Sequence, residues 1–280
     1  MLSAQHEGVA IAVVHNKNSV RNGYLFPHLD QLSDALANTC TVTRLEAWTQ
    51  PEVVPHSKWM ALCREVVSKR LQREWARYCL RNVESSWQAM RAVIKNTRKK
   101  IFLGGDQAKR WVHNSHIETI VTDKHIRLWQ QFLDTDRRYL LVFEDDAVFK
   151  EGSVVGVLSL CSRLDNHEPS RHVYVDLAGG CAVDDLAIDK LLAEQDEHFR
   201  RYRKPVTNTA CVYMINRATV ELFVACLIRR PWWRLISVDW LMNQLFTLRN
   251  FQDDQALCLH ADPAIFQHGS TTGRYVTWQA

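Results

Sequence analysis

Apolar residues along this chain fall into two rhythms. Short β-branched runs bounded by polar residues read as strands, and apolar positions three and four apart read as helices. Residues 9–14 (Val-Ala-Ile-Ala-Val-Val) predict an opening strand, and the polar stretch 15–23 a loop after it. Residues 27–37 predict a helix, 40–45 a second strand, and 50–57, with Pro51 and Pro55, a connector. From 58 to 99 apolar positions recur at helical spacing without Gly or Pro, which predicts one long helix or two broken near Asn82. Residues 101–103, before Gly104-Gly105, read as a strand and turn, and 117–133 as a helix. Further strands are predicted at 140–143, 172–177 and 211–215, helices at 154–164, 218–228 and 238–248, and mostly loop from His260 onward. Strands alternating with helices indicate an α/β fold. No internal repeat, low-complexity tract or linker divides the chain, so the expectation is one domain over 1–280 with a helical insertion at 58–100.

Composition adds little to this picture, but charge adds something. At 46% hydrophobic and 24% charged the 280 residues suit a globular domain. The net charge of +4 is unevenly placed. Residues 58–100 hold 12 Lys and Arg against 3 Asp and Glu, whereas the remainder is acidic, with 23 against 28. A basic stretch of this kind suits an anionic glycan or membrane surface, or is simply a solvated helical face. It holds no recognised nucleic-acid module and little aromatic-basic interleaving, so no nucleic-acid partner is expected. No apolar run is long enough for a transmembrane helix, and the first residues do not resemble a secretory signal. The eight cysteines form no CxxC pair, which argues against a zinc site and a disulfide framework, and favours buried thiols in a reducing cytoplasm.

The most unusual local pattern is Leu140-Leu141-Val142-Phe143-Glu144-Asp145-Asp146-Ala147-Val148-Phe149. An apolar strand ends in three carboxylates, and apolar sequence resumes at once. Adjacent carboxylates repel and are costly to desolvate without a counter-cation. A hard divalent ion shared with a diphosphate removes that cost. The competing reading is a solvated acidic turn at a sheet end.

The context of this strand resembles a known family. His125-Ile126-Arg127-Leu128-Trp129 stands 19 residues before Glu144. Downstream lie Val212-Tyr213-Met214-Ile215-Asn216, Ser237-Val238-Asp239-Trp240, and Asp262-Pro263-Ala264-Ile265-Phe266-Gln267-His268-Gly269-Ser270. In this order, over roughly 117–280, the segments resemble glycosyltransferase family 25, the lipooligosaccharide-type sugar transferases related to collagen galactosyltransferases. Lys124 stands where that family has Ser, Ile120-Val121 where it has Gly-Cys, and the basic stretch has no counterpart.

The resemblance implies a GT-A fold, a Rossmann-type mixed sheet flanked by helices, with a nucleotide diphosphate-sugar held at strand carboxyl ends. It implies Mn²⁺ or Mg²⁺ bound by Asp146, with Glu144 nearby and His268 from the tail as a further ligand. Asp145 then belongs either to the cation or to the donor sugar or ribose. Asn16, Arg21 and Arg274 are candidate contacts for the nucleotide. Asp239 is the candidate general base of an inverting transfer. Trp232 and Trp233 are candidates for stacking on an acceptor sugar. His125 is expected to support the acidic strand from behind. Each has an ordinary alternative: a loop histidine for His268, a helix cap for Asp239, surface loop for Asn16 and Arg21, packing for the tryptophans. The activity implied is transfer of a sugar, galactose being one candidate, from a UDP-sugar-type donor to a cell-surface glycan or lipid-linked lipopolysaccharide acceptor. The place implied is the cytoplasm or the inner membrane surface. A metal-dependent phosphohydrolase built on Glu144, Asp146 and His268, or a non-enzymatic basic adaptor, are the alternatives.

Overall fold

The computed structural model describes residues 6–50, 106–165, 171–186, 188–251 and 255–276, with four further helical positions at Trp87, Arg91, Ile94 and Lys95. Apart from those four, the predicted helix at 58–99 lies outside the described residues, as do the strand and turn at 101–105. The rest is an α/β structure around one mixed sheet of eight strands.

Strand β1 (His6–His15) lies between β2 (Cys40–Trp48) and β3 (Tyr139–Glu144), parallel to both. Strand β4 (Ala147–Phe149) leaves the sheet after a two-residue turn. Beyond β3 the sheet continues through β5 (His172–Asp176), β6 (Leu192–Gln195), β7 (Phe199–Tyr202), β8 (Val212–Asn216) and β9 (Ala256–Ala261), in the order β2-β1-β3-β8-β5-β9-β7-β6. Because β8 is antiparallel to both β3 and β5, β9 is parallel to β5, and β7 is antiparallel to both β9 and β6, six of the eight strands run the same way. Their carboxyl ends, including His15, Trp48, Glu144 and Asp176, share one edge of the sheet. The chain moves outward from β1 to β2, then returns to the other side of β1 to form β3. That reversal is a topological switch point, where open α/β sheets leave a crevice for ligands.

Alternation along β1 builds both cores. Val9, Ile11 and Val13 face one side and Ala10, Ala12 and Val14 the other, all essentially buried. On the first side pack α1 (Ser19–Ala37) and α3 (Ser153–Leu164), through Leu25, Leu29, Leu32, Leu36, Val157 and Leu160. On the second pack α2 (Asp106–Leu133), α4 (Arg217–Arg229) and α5 (Val238–Leu245), through Trp129, Phe132, Phe223 and Leu241. None of the described helices is long and apolar enough to cross a membrane.

Several boundaries differ from the sequence expectation. Residues 19–23, expected as loop, form the first turns of α1, because Asn18 Oδ1 accepts from the free N–H groups of Val20 and Arg21 at 3.0 and 3.1 Å. Pro27 therefore lies inside the helix rather than at its start. The hairpin β6–β7 was not expected, since only Phe199 and Tyr202 of its charged sequence are buried. The tail is not mostly loop: β9 joins the sheet, and β10 (Phe266–His268) pairs with β4.

Candidate active site

The site is built where β3 runs out. Asp145 and Asp146 form the turn between β3 and β4, and are 6% and 5% exposed. The carboxylates are thus not spread into solvent, so each needs a partner inside the protein. The tail supplies the partners of Asp146. Strand β10 runs antiparallel to β4 and sets His268 opposite Ala147. Phe266 anchors it, meeting the rings of Phe143 and Phe149 edge-on at 5.1 and 4.9 Å. Gly269 N–H then donates to Asp146 C=O at 2.8 Å. A side chain would not fit there, since a Cβ on Gly269 would stand 2.6 Å from that oxygen and 2.5 Å from the Tyr275 ring. This close approach delivers His268 Nδ1 to 3.5 Å from Asp146 Oδ2, and Ser270 Oγ donates to the same oxygen. From the opposite side Cys211 Sγ lies 3.6 Å from Asp146 Oδ1.

Glu144 is held differently. Its Oε1 is 3.0 Å from His125 Nε2, and His125 Nδ1 meets the Tyr213 hydroxyl at 2.9 Å. The Trp129 indole N–H donates to that hydroxyl at 3.0 Å. His125 thus supports the acidic strand from behind. Burial works against ionisation of Glu144, but the His125 hydrogen bond, with the charges of His125, His268 and Lys124, holds its carboxyl below the usual range.

Asp145 turns to the switch point between β1 and β3. Arg21 Nη1 pairs with its Oδ1 at 2.7 Å, and the Asn16 backbone N–H reaches Oδ2 at 3.3 Å. Burial raises the Asp145 pKa, opposed by Arg21. Beneath them Lys124, 1% exposed, donates to His15 C=O at 2.8 Å and to the Asn16 side chain. Burial lowers its pKa to about 8, against the pull of Asp145 and Glu144. An ammonium in this position offsets part of the negative charge and pins the loop after β1.

A cavity of about 320 Å³ opens beside these residues, at the small end of the size of ligand sites. Glu144, Asp146 and His268 line one part, and Ser237, Asp239 and Trp240 from the start of α5 another. Glu118 of α2, Thr209, and Ser270 and Thr271 of the tail also line it. Thr209 has φ +72°, a strained conformation for a β-branched residue. It follows Asn208, whose N–H donates to Asp176 Oδ2 at 3.0 Å and whose Oδ1 accepts from the N–H groups of Gly180 and Cys181. Asp176 also accepts from the Tyr174 hydroxyl at 2.9 Å, and burial lifts its pKa to about 7.

Four of the residues expected from sequence, Glu144, Asp146, Asp239 and His268, therefore share one cavity. Asn16, Arg21 and Asp145 form a second group beside it and do not line it. Arg274 is exposed and stacks on Tyr24 at 4.0 Å instead of facing the cavity. Trp232 and Trp233 are not on the wall either: they belong to a short 3-10 turn (Pro231–Leu235), where Trp233 packs on the core beneath Arg230. The aromatic on the wall is Trp240, one turn into the next helix. Sequence reasoning also missed Lys124, Cys211, Ser270 and Thr209. Only Lys124 carried a signal, as a departure from the family pattern next to His125.

No protein-family model matches this chain, and no curated protein matches it.

Proposed function

We propose that this protein is a metal-dependent glycosyltransferase of GT-A type, moving a sugar from a nucleotide-diphosphate donor to a glycan acceptor, as its resemblance to glycosyltransferase family 25 implies. The observation that carries the reading is the convergence of Asp146 and His268 with Asp239 on one cavity at the carboxyl edge of the sheet. The donor set fits a divalent cation: a buried carboxylate faces the imidazole Nδ1 of His268, a buried nitrogen with no hydrogen-bond partner among the described residues. Asp146 and His268 would hold Mn²⁺ or Mg²⁺, with Glu144 at hand. When bound, such an ion neutralises charge on a diphosphate leaving group.

The remaining chemistry belongs to the chain itself. Asp239 accepts the proton of the acceptor hydroxyl as its oxygen attacks the anomeric carbon and the bond from that carbon to the diphosphate breaks, an inverting displacement. Trp240, on the same wall, offers an apolar surface to the acceptor ring. Asn16, Arg21 and Asp145 frame the switch point, where the nucleoside part of a UDP-type donor would rest. Acceptor identity, including a cell-surface or lipid-linked lipopolysaccharide, and a location at the inner membrane surface belong to the same proposal. The basic stretch 58–100 is the part that would meet an anionic surface.

The test is turnover of UDP-sugars by the purified protein with and without Mn²⁺ or Mg²⁺. Release of nucleoside diphosphate only with metal is expected, with a fall of about 100-fold or more in Asp146→Asn at an unchanged melting temperature. Undiminished turnover in that variant overturns the proposal. So does release of inorganic phosphate from the substrate, which instead favours a phosphohydrolase.

A further inference from the structure

Two metal-ligating side chains, Cys211 and His268, approach Asp146. Cys211 stands just before β8, where its C=O accepts from Glu144 N–H at 2.8 Å, and its side chain is 1% exposed. Its Sγ is 3.6 Å from Asp146 Oδ1, and His268 Nδ1 is 3.5 Å from Asp146 Oδ2. One ligand atom from each of the three residues lies within 4.8 Å of the others. Metal–sulfur bonds of about 2.3 Å and metal–nitrogen or metal–oxygen bonds of about 2.0–2.1 Å put tetrahedral ligands roughly 3.3–3.6 Å apart. Each of the two separations is close to that range, Cys211 to one oxygen of the Asp146 carboxylate and His268 to the other.

We propose that Cys211 is a metal ligand, and that the Asp146–Cys211–His268 site binds Zn²⁺ and Co²⁺ ahead of Mn²⁺, and Mn²⁺ ahead of Mg²⁺. This deepens the metal part of the function proposed above and rests on it. Mg²⁺ takes oxygen ligands in octahedral geometry, whereas a thiolate beside an imidazole and a carboxylate suits a softer ion. The thiol proton passes to solvent as the sulfur–metal bond forms.

Titration of the full-length protein with Co²⁺ tests the assignment. A near-ultraviolet thiolate-to-Co²⁺ charge-transfer band is expected, displaced by stoichiometric Zn²⁺ and left in place by a large excess of Mg²⁺. Cys211→Ser should remove the band and weaken Co²⁺ binding about tenfold or more, with little change for Mg²⁺. Absence of the band from the unaltered protein, or its persistence in Cys211→Ser, overturns the proposal. The first of these decides the matter even if the variant fails to fold. A Co²⁺–thiolate band in a protein that transfers no sugar would sink the glycosyltransferase reading and leave this one standing. Metal-dependent transfer without the band would do the reverse.

Discussion

Asp176 shows at the scale of one residue how burial and hydrogen bonding compete. Four donors address its carboxyl, the N–H groups of Ala178, Gly179 and Asn208 and the Tyr174 hydroxyl, yet burial outweighs them and the pKa rises from 3.8 to about 7. The folded protein therefore holds a proton on Asp176 between roughly pH 4 and 7 that the unfolded chain has released. Stability from this group is complete below the unfolded pKa and is lost as pH rises through the folded one, by about 1 kcal/mol per pH unit at its steepest. Urea denaturation of the wild type across pH 4–8 should show this decline, and Asp176→Asn should lack it. Identical pH profiles for the two proteins would contradict the assignment. Nothing in the strand pattern at 172–177 signalled such a group, because a carboxylate at a strand end reads the same whether solvated or enclosed.

At the scale of elements, the β4–β10 ribbon is the device that completes the site. It was half legible. The apolar resumption at 147–149 was visible, but its partner of three residues, Phe266–His268, was too short to stand out from a tail rich in Gly, Ser and Thr. Contact with Phe143 and Phe149, far away in sequence, is what makes Phe266 an anchor. Gly269→Ala tests the ribbon, since its Cβ would collide with backbone at Asp146. A loss of about 1–3 kcal/mol in folding stability is expected, with a larger relative loss of Co²⁺ affinity as His268 is pushed from Asp146. Calorimetric melting and metal titration on the same sample check both, and unchanged metal affinity would show that the ribbon does not position His268. In the same way α1 began eight residues earlier than expected, because a cap at Asn18 turned polar residues into helix and put Arg21 within reach of Asp145.

At the scale of the whole molecule, charge is unevenly placed along the chain, and the cavity wall is acidic. Among the described residues the cavity wall carries Glu118, Glu144, Asp146 and Asp239, and no Lys or Arg. Under the function proposed above, a divalent cation at Asp146 and His268 would offset part of this charge, and Glu118 and Asp239 would still disfavour a phosphorylated or otherwise anionic acceptor ring over a neutral one. A panel of acceptors should show neutral glycosides favoured by about tenfold or more in kcat/KM over their phosphorylated counterparts, the gap narrowing with salt. Equal use of both would remove electrostatic selection at the cavity. Binding to anionic surfaces is then a matter for the basic stretch 58–100 and not for this wall. The sequence by itself determined the α/β class and the strand that ends in Glu144-Asp145-Asp146, because periodicity and side-chain chemistry are local properties, whereas Asp239 and His268 were expected beside Glu144 and Asp146 only through the family resemblance. Tertiary structure alone decided that Cys211, among the described cysteines, would approach Asp146, that Trp240 and not Trp232 or Trp233 would face the cavity, and that Asp145 would be engaged by Arg21. Those pairings join positions 65 to 124 residues apart or depend on a helix's rotation, and only strand order and packing fix such geometry.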